Sequence, residues 1–366
     1  MDGQNIWAII SFLVYMAFCF FCIYQREIML YFEVRKIRKQ VREISKMIKE
    51  TRSMLMSMFD ERLSEEEREK GYDKVMNYFV IAPIETDPSG VMDRLEYLLD
   101  AGDETLGRLV EPLCPDGDLE RLENLKQMFR EAIVLNRTFK LVREIYLSSK
   151  KSRSLETVMQ TTMNLPLLLR EARIRFKAVK AYVGAEPIGN GVAPLVASKL
   201  MDGSPFEVRD GVVASEREYE GRELIIIKPK GPGARSRNVG RVAADIIMRE
   251  EKIAGVVVIS AQVKLEGEKS VVVTPATGVA FVSEPEKYRL EELASAKKIP
   301  LVSLVVKMSN EEYYTKMSEK VRGAVPKIVE RFEDLISGFG EGKVILIGSG
   351  NTMAITPVSY THLRAH

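Results

Sequence analysis

From Ile6 to Tyr24 every residue except Ser11 is apolar or aromatic, about the ~20 residues a helix needs to cross a bilayer. The run predicts a transmembrane helix over residues 1–25 rather than a cleaved signal peptide. Only Asp2 precedes it in place of a basic flank, and bulky Phe20, Phe21 and Tyr24 end it. Behind it, Leu30, Val34, Ile37, Val41, Ile44, Ile48, Thr51, Leu55 and Met58 recur by fours and threes, the spacing of a heptad seam. Residues 26–62 are therefore expected to extend the helix as a coiled coil that joins copies into a homo-oligomer. The alternative is that the stripe packs on the chain's own helices.

Helical periodicity continues over residues 63–175. Ser64 with Glu67 forms a capping box, Asp87-Pro88-Ser89-Gly90 breaks the chain, and Asp118 is placed to cap a long helix running toward Tyr146. A third pattern covers Leu155 to Arg175, with a kink expected at Pro166. Over residues 176–356 the texture changes to short β-branched runs at 178–183, 224–228, 255–260, 301–307 and 343–347, alternating with helical patterns at 192–200, 239–252, 286–298 and 310–338, the last with a break expected near Pro326. The run at 271–274 is expected to pair with the preceding strand across the turn at 266–269. The fold class is α/β: a transmembrane and coiled-coil helix, an all-helical middle, and a mainly parallel sheet whose strand ends would receive a ligand.

Charge alters this picture only locally. Lys+Arg 54 against Asp+Glu 52 leaves +2 over 366 residues, so no nucleic-acid partner is expected. The cations that do cluster follow the apolar run, from Arg26 through Arg35, Lys36, Arg38, Lys39, Arg42 and Lys46 to Lys49; the flank can also lie against anionic headgroups, although most of these cations are expected to extend beyond that range along the helix. Their position makes the bulk of the chain cytoplasmic and the protein a single-pass component of the cell membrane. Cys19, Cys22 and Cys114 suggest neither a disulfide framework nor a zinc site. Both histidines, His362 and His366, lie in the segment Pro357 to His366, which resembles translated sequencing-adapter read-through. The native chain is expected to continue differently after about Thr356. No catalytic residue and no metal ligand can then be assigned, and the cofactor is unknown.

Three glycine-rich loops fall where the sheet would bind a ligand. The first centres on Gly189, Asn190 and Gly191; the third is Gly348-Ser349-Gly350-Asn351-Thr352. The second, Lys228 to Gly240, sets Lys228, Lys230, Arg235 and Arg237 among Gly231 and Gly233, with no acid before Asp245. Backbone N–H groups, cations and a helix N-terminus could converge there on one phosphate or carboxylate, although such a loop is equally compatible with a solvated connection. None of the three is a Walker A or GxGxxG sequence, so no nucleotide is specified.

In its layout the chain resembles an uncharacterised archaeal family catalogued as domain of unknown function 1512. The resemblance is carried by Gly189 to Ala197, Lys230 to Gly233, Glu286 to Glu292 and Gly348 to Met353, and would extend to Thr356. It implies an N-terminal membrane segment and a body of this size, and no reaction. Residues 189–200 are also similar to the glycine turn and helix of the hydrogenase-maturation peptidases, which hold a metal through a carboxylate. Here Asn190 stands in that place, and an amide lacks the charge.

The reading that follows is a membrane-anchored protein whose α/β half binds an anionic, phosphorylated small molecule. One alternative is a hydrolase of peptidase-like fold with a degenerate metal site and Glu186 or Asp245 as base. The other is a non-catalytic membrane scaffold.

Overall fold

The computed structural model describes residues 3–81, 90–115, 117–152, 154–201, 205–209, 211–219, 221–281 and 283–357. The expected break at Asp87 to Ser89, Arg153 and the tail from Val358 lie outside these residues. The chain opens as one 55-residue helix, α1 (Gly3–Ser57). Its large apolar side chains from Trp7 to Tyr24 keep 44 to 71% of their surface exposed. Among the described helices it is the one long and apolar enough to cross a membrane.

Five helices follow: α2 (Glu65–Met76), α3 (Val91–Val110), α4 (Leu119–Lys151), α5 (Leu155–Thr162) and α6 (Leu165–Val183). Their starts are set by side chains that satisfy the first free N–H groups. Ser64 and Glu67 close the capping box of α2, Asp118 Oδ1 accepts from Arg121 N at 2.9 Å, and Ser154 accepts from Thr157 N. Pro166 separates α5 from α6 instead of kinking one helix. It sits in the first turn of α6, where its missing N–H has no intrahelical partner.

The chain divides into two compact units, residues 1–51 with 133–176 and residues 52–132 with 177–366. In the first, Ile37 and Ile44 of the α1 stripe have no exposed surface. They share a cluster with Leu135 and Val142 of α4, Val158 of α5, and Leu165, Leu169 and Ala172 of α6. At these positions the heptad stripe is covered by the chain's own helices, the second of the two packings its spacing allowed.

The second unit contains a helical cluster and a sheet. Residues 178–183, expected as a strand, are instead the last turns of α6. Ala178, Val179, Ala181 and Tyr182 bury at helical spacing against Phe129 of α4 and its neighbours. Then come α7 (Val192–Leu200), β1 (Phe206–Arg209), β2 (Val212–Tyr219), β3 (Arg222–Pro229), α8 (Val239–Arg249), β4 (Ile253–Val263), β5 (Val272–Thr277), α9 (Glu284–Ala296) and β6 (Leu301–Met308). The helical pattern at 310–338 is divided into α10 (Asn310–Tyr314), α11 (Glu319–Arg322) and α12 (Val325–Ser337), and β7 (Lys343–Ser349) completes the sheet.

The strand order is β1-β2-β3-β7-β4-β6-β5. The sheet is mixed, not mainly parallel. Parallel pairing joins β3, β7, β4 and β6 in the centre, while β1/β2, β2/β3 and β5/β6 are antiparallel. The flanks differ because β1, β2 and β3 follow one another through tight turns in which Gly211 and Gly221 take positive φ of 77° and 70°. β5 does not pair with β4 as expected; it lies on the far side of β6, and Pro275 suits such an edge position. The central strands are buried on both faces. Leu224, Ile226, Val257 and Leu346 meet α7 and α12, whereas Ile225, Ile227, Val256 and Ile345 meet α8 and α9.

Candidate functional site

The three glycine loops meet. Gly189 to Gly191 form one 3-10 turn that opens α7, pinned by Gly189 N donating to Thr315 O at 2.9 Å. The second loop and the third are sewn together by Thr352, which has no exposed surface. Its hydroxyl donates to Gly233 O at 2.7 Å and accepts from Arg235 N at 3.2 Å, and its own N–H donates to Arg235 O at 3.0 Å. Asn351 Nδ2 donates to the Tyr182 hydroxyl at 3.0 Å, and Asn351 Oδ1 accepts from Met353 N at 2.8 Å. Ile188 just before the first loop, Ala234 within the second and Met353 just after the third are buried in the helical cluster of the second unit. Such burial contributes about 1.5–3 kcal/mol for a side chain the size of Ile or Met.

This packing explains the glycines. A β-carbon on Gly191 would overlap the carbonyl of Asn351, one on Gly350 that of Asn190, one on Gly231 that of Ile355, and one on Gly189 that of Glu312. On Gly348 it would meet Ala193 O and the Ala197 side chain, so α7 crosses directly over the end of β7. On Gly233 it would press on Glu123 of α4.

Three cations of the second loop each pair with an acid from another element. Arg237 binds Asp100, at 3.1 Å, and Asp103 of α3; Arg235 reaches Glu123 of α4 at 3.8 Å; Lys230 reaches Glu207 of β1 at 2.5 Å and holds that carboxyl below its usual range. The first of these belongs to a longer row. Asp93, Glu96, Asp100 and Asp103 recur on α3 by three, four and three residues, which puts them on one face. They meet Arg289, Arg241, Arg237 and Arg130, with Arg241 Nη2 at 2.8 Å from Asp100 and Arg289 at 2.5 Å from Glu96. The acid spacing is visible in the sequence, and it was the signal missed. Beside the row lies a groove of about 450 Å³ that Arg235 and Arg237 line together with Arg108, Lys126 and Arg130 and with Asp103, Glu104, Glu111 and Glu123, so both signs of charge line it.

The N-terminus of α8, where the expected anion would sit, already holds a carboxylate. Glu286, 5% exposed, accepts from Gly240 N at 2.7 Å and from Asn238 N at 3.2 Å. Burial raises its pKa, and the two backbone donors oppose that rise. Of the acids considered as bases, Glu186 pairs with Lys316 at 2.5 Å and Asp245 with Arg209 at 3.0 Å.

Lys228 is different. It has no exposed surface, and its ammonium donates to Pro229 O at 3.2 Å with no carboxylate among its described partners. By strand alternation it lies on the Leu224 and Ile226 face of β3, the face that packs on α7. Burial lowers its pKa from 10.5 to about 7. The Oδ1 of Asn190, at the start of α7, is likewise buried with no described partner.

The fold is thus a mixed α/β sheet clamped to helices through its strand-end loops. Residues 11–184 match the model of the DUF1512 N-terminal domain, a protein of unknown function, and residues 188–356 match that of the DUF1512 C-terminal domain of unknown function. The chain belongs to this family. No curated protein matches it.

Proposed function

We propose that residues 6–24 anchor the protein in the cell membrane as a single pass, with the bulk of the chain cytoplasmic, and that the sheet binds an anionic, phosphorylated small molecule at the carboxyl end of β3. The outward-facing apolar surface from Trp7 to Tyr24 supports the anchor. The cation-rich flank behind it supports the orientation.

The observation that carries the ligand is Lys228. An ammonium buried without a counter-charge is costly, and the cost is relieved either by losing the proton or by gaining an anion. With its pKa at about 7, Lys228 is poised between these outcomes, and a bound oxyanion favours the charged form. Affinity for an anion is then greatest below about pH 7 and weakens up to about tenfold per pH unit above it.

Thermal shift of the full-length protein in detergent, with inorganic phosphate, sugar phosphates and nucleotides titrated at pH 6, 7 and 8, tests this. The expected result is a saturable rise in Tm for at least one phosphorylated compound, larger at pH 6 and lost in Lys228→Met. A rise that persists unchanged in Lys228→Met, or no rise for any anion, overturns the ligand half. A second reading, a non-catalytic membrane scaffold, is favoured by the close packing behind the glycines and by the carboxylate partners of Lys230, Arg235 and Arg237. It predicts that Lys228→Met raises Tm while no anion acts on either protein.

A further inference from the structure

In the first unit, α1 and α4 border a groove of about 800 Å³. Six cations line it, Arg35, Lys36, Arg38, Lys39, Arg42 and Lys150, and no carboxylate does. Lys36 lies 3.9 Å from Glu33; the other five have no acidic partner among the described residues. Arg35, Arg38 and Arg42 recur by three and four residues, so they share a face of α1 about 140° round the helix from Ile37 and Ile44, which α6 helps to cover. Tyr31, Phe32 and Tyr146 stand at the same groove, the first two 63% and 58% exposed. Like charges held together without counter-ions repel, so an anionic occupant stabilises this face.

Depth and shape narrow the occupant. Along α1, Arg35 and Arg42 stand about 17 and 27 Å beyond Tyr24 at ~1.5 Å per residue, whereas a headgroup layer is about 5–8 Å deep. The groove therefore opens to water, clear of any bilayer that holds Ile6 to Tyr24. Two copies anchored in one membrane would present the same residues at the same height, so a second α1 laid here would set Arg35, Arg38 and Arg42 against themselves. A helix bearing acids at the same three- and four-residue spacing complements the stripe instead, because side chains so spaced lie about 5–6 Å apart on both partners. A trench between two helices seats a third, ridges into grooves. The exposed rings of Tyr31 and Phe32 offer apolar area that a bare polyanion would leave in water and the apolar edge of an amphipathic helix covers.

We infer that the groove between α1 and α4 docks an acidic amphipathic helix of a partner protein, its carboxylates on Arg35, Arg38, Lys39 and Arg42 and its apolar edge on Tyr31 and Phe32. The exclusion of a second copy rests on the membrane anchoring proposed above; the charge and the shape of the groove do not.

The test uses full-length protein in neutral detergent and a fluorescent helical peptide of about 20 residues, ~30 Å long, with Glu at i, i+3, i+4 and i+7 along one face and Leu beside them. The reference is a peptide of the same composition with Glu spread around the helix. Anisotropy should show about tenfold tighter binding of the one-faced peptide at ~0.15 M salt, a difference that falls away at ~1 M. Arg38→Gln/Lys39→Gln/Arg42→Gln should abolish the difference, and Arg38→Gln alone, an exposed single change, should lose part of it. Lys70→Gln/Lys252→Gln/Lys316→Gln, which removes three exposed cations elsewhere, should keep it. Equal binding of the two peptides, or a difference retained in the groove variants, overturns the docking site. Tighter binding of inorganic polyphosphate or of a single-stranded oligonucleotide at the groove overturns the helix as occupant, and a dimer in sedimentation that the triple groove variant dissociates overturns the partner in favour of a second copy. Flotation with phosphatidylcholine vesicles after an alkaline wash reads the anchor separately from all of these.

Discussion

Two stretches of this chain are conspicuously basic, and they hold their charge in opposite ways. In the loop after β3, Lys230, Arg235 and Arg237 each meet a carboxylate from another element, and the neighbouring α8 N-terminus is filled by Glu286. In the groove between α1 and α4, five of six cations have no such partner among the described residues. The loop stands out in the sequence because glycines surround its cations, and the α1 flank because it follows an apolar run. Folding neutralises the first and leaves the second available. A count of cations gives the charge present, whereas their partners decide how much of it a ligand can feel.

The comparison can be broken at the acidic row on α3. Glu96 is 8% exposed and accepts from both Arg241 and Arg289, so Glu96→Ala takes the buried carboxylate from two guanidinium groups, leaving Arg241 with Asp100 and the half-exposed Arg289 with Asp93 at 3.8 Å. A loss of about 2 kcal/mol is expected from the urea midpoint of the detergent-solubilised protein. A loss under about 0.5 kcal/mol would put the row among exposed surface pairs and remove its clamping role.

Lys228→Met sharpens the contrast from the other side, since this cation of the loop is the one without a carboxylate. Its pKa is lower in the folded state, at about 7, than the ordinary 10.5, so between those values the unfolded chain binds the extra proton and stability rises with pH. The substitution should stabilise by about 2 kcal/mol at pH 7, a discounted share of what such a shift represents. The gain should shrink toward pH 10. An equal gain at pH 7 and pH 10 would show that Lys228 does not titrate in that window.

Smaller effects follow. Glu286→Ala frees the N–H groups of Asn238 and Gly240 and should cost about 1.5 kcal/mol, read as a fall in Tm. Lys230→Gln removes a half-exposed pair with Glu207 and should change stability by no more than about 0.5 kcal/mol. A larger loss there would mean the loop depends on that pair.

Much of this arrangement was legible in the residues. Ser64 with Glu67, Asp118, and the glycines of the three loops each predicted a local structure that the fold contains, because caps and close turns are decided by a few neighbouring residues. The α/β pattern placed the second and third loops after strands, β3 and β7, whereas the loop at 189–191 follows α6 and no strand. What failed was decided at a distance. The run at 178–183 reads as a strand on apolarity alone, yet the partners of Ala178 and Tyr182 lie in α4 and impose a helix. β1 went unpredicted because its four residues, all exposed, make too short an apolar pattern, and β2 because Glu216, Arg217 and Glu218 interrupt its own, although Val212 to Ala214 are buried in the sheet. The destination of Arg237 could not be read from its own loop, since Asp100 and Asp103 lie more than a hundred residues earlier. The even spacing of those acids on α3 was the one local hint.

The most direct measurement is the rate at which each arginine of the full-length protein in phosphatidylcholine vesicles reacts with a dicarbonyl reagent, followed by mass spectrometry. Arg35, Arg38 and Arg42 should react at least about tenfold faster than Arg237 and Arg241, the factor that about 1.4 kcal/mol of ion pairing represents. Equal rates at the two sets would contradict the account, because the loop cations would then be as free as those beside the apolar helix.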